Sequence, residues 1–503
     1  MRPPRLRTTA LRLAQLSVGL VGIAFATPAL ADEPSSAELY RGPKAPAANS
    51  QQSVTLEVLE ILRSSGAIDD ARYRELRERA LAEGATARED AEAAGQAAAE
   101  AELTKPTGWS VKWKNGTRVE RNDGAFKFKF GGRIQLDGAV FAPSQGVSAF
   151  LRNPNSVIND GVNGQNGGTQ TGVEFRRARL FAEGTIYDRF LFKAEYEFAS
   201  GGGTVGLTDV YVGLTKIPLL GTARVGHFRE AYSLEALTSS KYLTFMERSL
   251  MNAFDPARNT GIGIQNTEFE ERMMWRIGAF RGDTNDVGKG FGPDALYNLA
   301  ARVTGLPWYE DEGRWLIHLG LDYSHEFKDG TSVSYSEREE NHLAPKLVNA
   351  VLGPSNYVDK LTGELAGVFG PVSFQAEYAS NWVNREGNKN VRFWAAYAQL
   401  SWFVTGENRA YNRKYGSFGR VSPKRNFTPW RSSQDLGALE LAARYSYLSL
   451  DDADVRGGTM GDFTAGLNWY WFPNFRIMFN YVYSKLYGVG HDHNGEMRFS
   501  LDF

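Results

Sequence analysis

The chain of 503 residues contains no cysteine. Disulfides and thiolate metal sites are thereby excluded, and an exported form of the chain would draw its stability from a large sheet, a core or a membrane. Beyond the N-terminal segment, no stretch has the roughly 20 uninterrupted apolar residues that a transmembrane helix needs. The formal net charge is −1, which speaks against a globally basic nucleic-acid binder. The six histidines include one His-x-His pair, His491 and His493, without the fuller pattern of a metal site. No nucleophile-elbow sequence stands out, so neither a catalytic constellation nor a cofactor is expected.

What the chain does have is aromatic residues at 13% and 53 glycines, a composition that favours a large all-β structure. The missing hydropathy peak leaves a membrane protein open, because barrel strands alternate and their hydropathy averages out. The first residues supply a basic segment (Arg2, Arg5, Arg7, Arg12), an apolar stretch from Leu13 to Phe25 and the small-residue ending Ala29-Leu30-Ala31. These are the parts of a secretory signal peptide cleaved after Ala31, and its removal leaves a mature chain near −5.

A Pro-, Ala- and Ser-rich linker follows over 32–53, then a helical or coiled-coil segment over 54–105. In it Leu56, Leu59 and Leu62 share one helical face, the pattern breaks at Ser64-Ser65-Gly66, and it resumes with Tyr73, Leu76 and Ala80. After Pro106 the period becomes two. Phe126, Phe128, Phe130, Ile134 and Leu136 point one way, and Lys127, Lys129, Arg133, Gln135 and Asp137 the other. A strand charged along one whole face has water on that side. Segments of this kind begin near 126, 172, 189, 204, 222, 259, 271, 296, 314, 361, 371, 391, 436, 459, 474 and 494.

Sixteen such segments predict a 16-stranded antiparallel transmembrane β-barrel over 109–503, a size that leaves an aqueous channel. Tight connections near 187, 216–221, 270 and 370 alternate with long ones at 142–171, 228–259 and 327–360. Short periplasmic turns and longer outer loops follow that pattern. The connection 404–435 is long yet falls on the short-turn rim, and it carries Arg409, Arg413, Lys414, Arg420, Lys424, Arg425 and Arg431. Loop 228–259 mixes Arg229, Lys241, Arg248 and Arg258 with Glu230, Glu235, Glu247 and Asp255. Long irregular insertions of this kind are usually functional.

Several segments together resemble the phosphate-selective porin family of the O and P type. They are Phe126-Lys127-Phe128 through Gly131-Gly132-Arg133-Ile134-Gln135, Phe175-Arg176-Arg177-Ala178-Arg179-Leu180, Gly226-His227-Phe228-Arg229-Glu230, and Leu237-Thr238-Ser239-Ser240-Lys241-Tyr242 with Phe245-Met246-Glu247-Arg248. Asn252-Ala253-Phe254, Arg258-Asn259, Thr405-Gly406-Glu407 and Ala443-Arg444-Tyr445-Ser446 add to the likeness. The resemblance implies a homotrimer in outer-membrane lipid, each barrel narrowed by an inward-folded third outer loop. It also implies a lysine and arginine constriction for phosphate or related oxyanions, and a periplasmic turn folded into the lumen. Lys241 matches the family's loop lysine, and Arg176, Arg177 and Arg179 its strand arginines.

The expected anion-binding residues are Lys241, Arg177, Arg179, Arg229, Arg248, Arg258 and Arg133. Strict alternation places Arg177 and Arg179 in the lumen and turns Arg176 toward a rim or subunit contact. A wall of ion pairs with Glu183, Glu195, Glu197 and Asp209 is the competing reading of the arginines. A general or weakly selective porin, or a structural tether through the N-terminal helices, are the alternatives in function.

Overall fold

In the computed structural model, which describes residues 49–103, 108–113, 116–153, 171–199, 205–284, 287–292, 296–432 and 435–503, the alternating segments form a closed barrel. Its sixteen strands are Phe126–Phe141, Gly172–Ile186, Phe190–Glu197, Gly206–Ile217, Gly221–Arg229, Arg258–Glu268, Met273–Arg281, Tyr297–Glu310, Trp315–Phe327, Lys346–Phe369, Val372–Arg385, Val391–Phe403, Ala438–Asp452, Val455–Phe472, Phe475–Leu486 and Gly490–Asp502. Each pairs antiparallel with the next, and the last pairs with the first from Asn494 opposite Phe141 to Asp502 opposite Arg133. Closure removes the unpaired edge that lipid could not hydrate. The expected signal peptide and most of the expected linker lie outside the described residues, as does much of loop 142–171.

Alternation decides what faces lipid. Leu136, Phe175, Leu180, Val212, Leu319 and Leu361 are exposed on the outer surface, while Gln135, Arg177, Thr208, Arg302, Asn468 and Arg498 are buried inside. Aromatics collect near the short-turn rim, where Trp308 lies 6.1 Å from Trp315 and Trp471 lies 5.2 Å from Phe475 between ring centroids. Near the loop rim Trp394 stacks on Tyr447 at 4.9 Å. Two such girdles mark the interfaces of a membrane barrel.

Three elements depart from the sequence reading. A hairpin, Trp109–Trp113 with Thr117–Arg121, precedes the barrel, and its second strand pairs with the start of the first barrel strand from Thr117 opposite Phe130 to Glu120 opposite Lys127. The strand expected at 361–369 runs over Lys346–Phe369, because its outer half pairs with Ser332–Arg338 in a hairpin above the wall. The N-terminal unit is two helices, Asn49–Ser64 and Asp70–Leu103; the first begins inside the expected linker 32–53, and the alanine- and glutamate-rich residues 85–103 belong to the second. Their break is set by Gly66 at φ +77°, and Arg63 bonds Asp70 across it at 2.8 Å.

The chain terminus completes the seam. Gly132 N–H donates to the Phe503 carbonyl at 2.8 Å, and Phe503 N–H donates back to Gly132 at 3.1 Å. A Cβ on Gly131 would lie 2.2 Å from that carbonyl oxygen, so only glycine allows the approach. Gly131→Val is expected to cost about 1–3 kcal/mol through this clash, read as a lower urea midpoint for refolded barrel and less heat-resistant material on gels.

Candidate functional site

The long loop between Arg229 and Arg258 enters the barrel and is held to one side of it. Tyr232, Leu250, Met251 and Phe254 join a buried apolar cluster with Tyr335, Val358, Phe393 and Leu448. Wall carboxylates take the first N–H groups of the short helix Leu234–Leu237. Asp322 accepts from Ser233 at 2.8 Å, and Glu377 accepts from Leu234 and Glu235, each at 2.9 Å. Negative groups at that end satisfy donors that have no helical partner. At the other end Arg248 donates to the carbonyls of Glu235, Ala236 and Thr238 at 3.1–3.2 Å.

Two buried wall arginines latch the second half of the loop. Arg444 donates to Glu235 at 3.0 Å and to the Glu247 carbonyl at 2.9 Å, and it also pairs with Glu340. Arg498 joins Asp137 of the first barrel strand to Glu247 at 2.7 Å, and it donates to the Met246 carbonyl. Burial pushes the Glu247 carboxyl up, but Arg176, Arg177 and Arg498 outweigh it and hold the group well below its ordinary value.

Arg176 does not turn toward a rim or subunit contact; it points into the barrel, to Glu247 of the loop. Opposite Gln135 and Leu136 the second barrel strand carries a bulge, so Gln135 faces Arg177 and Leu136 faces Phe175. The extra residue lets both arginines turn inward. Arg176 makes a bidentate pair with Glu247 at 2.9 and 3.0 Å, and Arg177 donates to Gln135 at 2.8 Å.

Space remains on the far side of the loop, against the first seven barrel strands. An outer cavity of about 490 Å³ is bordered by Glu174, Arg176, Glu197, His227, Thr284 and His342. An inner chamber of about 520 Å³ lies toward the short-turn rim, and Arg179 and Arg258 border both. Lys241, Arg133, Arg177, Arg179, Arg229, Arg248 and Arg258 all line the inner chamber. Lys129, Lys193, Arg224 and Arg276, absent from the sequence-based set, line it too. Each sits on a lumen-facing strand position, but alternation alone does not say which such positions the loop leaves uncovered.

The lining cations differ in how they are held. Arg133 donates to Ser240 of the loop at 2.6 Å and pairs with Glu195 at 3.2 Å. Arg179 pairs with Glu195 at 3.1 Å and also with Glu197, while Arg258 pairs with Asp209 at 2.8 Å. Arg229 pairs with Asp255 at the base of the loop. The ion-pair wall read from the sequence is therefore present. Lys241 is held more loosely, 3.9 Å from Asp502. It shares the Phe181 ring with Lys129 and Lys193, the three ammonium groups lying 5.0–6.0 Å from its centroid. Burial, then the charge of Arg133, pulls Lys241 down to about 7 against the opposing pull of Asp502.

The basic connection 404–435 folds inward as well. Tyr411–Asn412 and Ser417–Phe418 form a small hairpin. Phe418 packs against Leu234 of the loop helix, and Gly416 accepts from Arg302 at 2.9 Å. Its cations serve mainly as anchors. Arg409 donates to Gln375 at 2.7 Å, Arg413 donates to the Glu270 carbonyl at 2.9 Å, and Arg420 pairs with Asp502.

A closed sixteen-stranded barrel with a lumen lined by polar and charged side chains, narrowed by a loop and a turn, defines an outer-membrane porin, a channel and not an enzyme. The family model described as phosphate-selective porin O and P matches residues 151–499, and the chain belongs to that family. It is 26% identical to Porin O of Pseudomonas aeruginosa over 415 residues, 75% of this chain and 86% of that protein. An uncharacterized protein of Caulobacter vibrioides is 28% identical over 78% of this chain and 75% of its own length. Among solved structures, an anion-selective porin from Comamonas acidovorans aligns with TM-score 0.44 at 11% identity, over 75% of this chain and all of that one.

The latch is testable. Arg498→Ala leaves Asp137 and Glu247 buried without their shared partner, a loss of about 3–5 kcal/mol for a buried pair. Lower thermal stability, together with a higher single-channel conductance as the loop comes away from the wall, is the expected result.

Proposed function

We propose that the chain is an anion-selective pore for phosphate or related oxyanions. In this reading residues 1–31 direct export, 32–53 are a linker, 54–105 are a helical segment, and 109–503 form the porin, which assembles as a homotrimer in outer-membrane lipid. The constriction is built by Lys241, Arg133, Arg177, Arg179, Arg229, Arg248 and Arg258. The observation that carries the reading is the charge of the inner chamber, where twelve lysine and arginine side chains stand against the carboxylates Glu183, Glu195 and Asp209. A narrow passage with low-dielectric walls focuses such a field and concentrates anions in it.

The chemistry divides between fixed and movable charge. Arginine presents a planar fork to an oxyanion, and lysine a compact charge on a flexible stem. Arg133 and Arg179 are oriented by Glu195, so their forks are held in place before an anion arrives. Lys241, with its long contact to Asp502, is free to turn toward one. Conduction needs sites that release as well as bind, and carboxylates that already share the arginines keep any single seat from being too tight. The same ion pairs favour a weakly selective porin as the second reading, since they neutralise much of the wall.

Chloride current in planar bilayers, with reversal potentials in a salt gradient and then phosphate titration, separates the two. Anion preference with block by phosphate is expected, and cation preference without block would support the weaker channel. Lys241→Glu is expected to raise the half-blocking phosphate concentration about tenfold, about 1.4 kcal/mol; an unchanged value would remove Lys241 from the site.

A pH dependence follows from the lowered value of Lys241, about 7. The ammonium is charged below that pH and neutral above it, so anion binding strengthens as pH falls through 7. Block by sulfate, whose own charge is constant there, is expected to weaken between pH 6 and 8, and to lose that dependence in Lys241→Arg.

A further inference from the structure

We infer that Arg224 and Arg276 form a second oxyanion seat, separate from the constriction, on the short-turn side of the inner chamber. The inference rests on the proposed anion pathway and adds to it a site outside the family-derived set. Most cations of the chamber have a carboxylate within salt-bridge distance. Arg224 and Arg276 have none among the described residues. Both instead donate to one neutral atom, Gln265 Oε1, at 2.6 and 2.8 Å.

Two guanidinium groups therefore converge on a single amide oxygen with no negative charge between them. They are 9% and 6% exposed, and the Nε of each is buried without a hydrogen-bond partner among the described residues. Like charges this close in a partly dry lumen repel, and a buried donor without an acceptor adds a further cost. A divalent tetrahedral oxyanion answers both, because it supplies charge to the pair and oxygens to more than one donor at once.

The seat is also held in position. The Arg224 guanidinium lies 5.3 Å from the Tyr211 ring centroid and 4.9 Å from that of Phe228, which fixes its plane. Arg276 lies on the strand Met273–Arg281, two residues beyond Met274. A Cβ on Gly416 of the inward-folded turn would come within 2.6 Å of the Met274 side chain. That turn therefore closes over this part of the wall, and its Tyr415 lines the same chamber as Arg224 and Arg276. Both arginines lie three residues from the short-turn ends of their strands, Gly221 and Met273. An anion leaving the constriction toward that rim passes them, and a chain of seats is what transit without trapping requires.

Gln265→Glu tests the seat, because it places the missing carboxylate between the two arginines at nearly unchanged volume. The probe is inorganic phosphate, added to one side of a planar bilayer at a time. The half-blocking concentration from the short-turn side is expected to rise about tenfold, with less than a twofold change from the loop side. Arg276→Gln is expected to shift block in the same sided manner. Thermal unfolding of Gln265→Glu should be at or above that of the wild type, so a folding defect would not imitate the result. Block within twofold of wild type from both sides in Gln265→Glu, with Lys241→Glu still shifting it, would make the pair purely structural and overturn the seat while the proposed function stands. Wild-type current indifferent to phosphate from either side would overturn both.

Discussion

The loop Glu230–Ala257 is held against one side of the lumen by buried ion pairs, and the course of the passage depends on that. A closed barrel of this size would otherwise leave a wide aqueous hole. Arg444 and Arg498 reach from the wall to Glu235, Glu247 and the backbone of the loop, and Asp322 and Glu377 return the favour at its short helix. These pairs are buried, so removing one partner leaves a stranded charge. The latch is therefore strong in the sense that matters for a pore: the loop has one place to lie.

Anchoring on one side also decides the character of the other. Glu235, Glu247, Glu340 and Glu377 are spent where the loop meets the wall, and the space left open faces strands rich in arginine and lysine. The carboxylates that remain, Glu195 and Asp209 among them, are shared between cations and orient them. The result is a surface with an excess of positive charge whose members are mostly fixed. Lys241 differs from them, being half-buried, loosely paired and surrounded by like charge, which is why its proton is less firmly held.

Much of the fold was legible from alternation, since a strand with lipid on one side and water on the other writes its register into the sequence. The sixteen segments were readable for that reason. Arg176 was misplaced because a bulge changes the phase by one residue, and nothing in Phe175-Arg176-Arg177 marks where the extra residue falls. The outer half of Lys346–Phe369 escapes that signature because Leu347, Val348, Ala350 and Leu352 are buried in the apolar cluster under the loop, two of them side by side, instead of alternating between lipid and water. Arg224 and Arg276 were passed over because they lie outside the loop and the recognisable motifs.

By itself, the sequence determined that the chain is a β-barrel with a charged interior and a long third loop, because hydropathy of period two and loop length are local properties. Tertiary structure alone decided which charges meet. Whether an arginine is neutralised, as Arg258 is by Asp209, or left beside another arginine, as Arg224 is beside Arg276, depends on partners 49 and 52 residues away in the chain. Barrel closure and the path of the loop bring those partners together, and Coulomb energy falls with distance in space rather than along the chain.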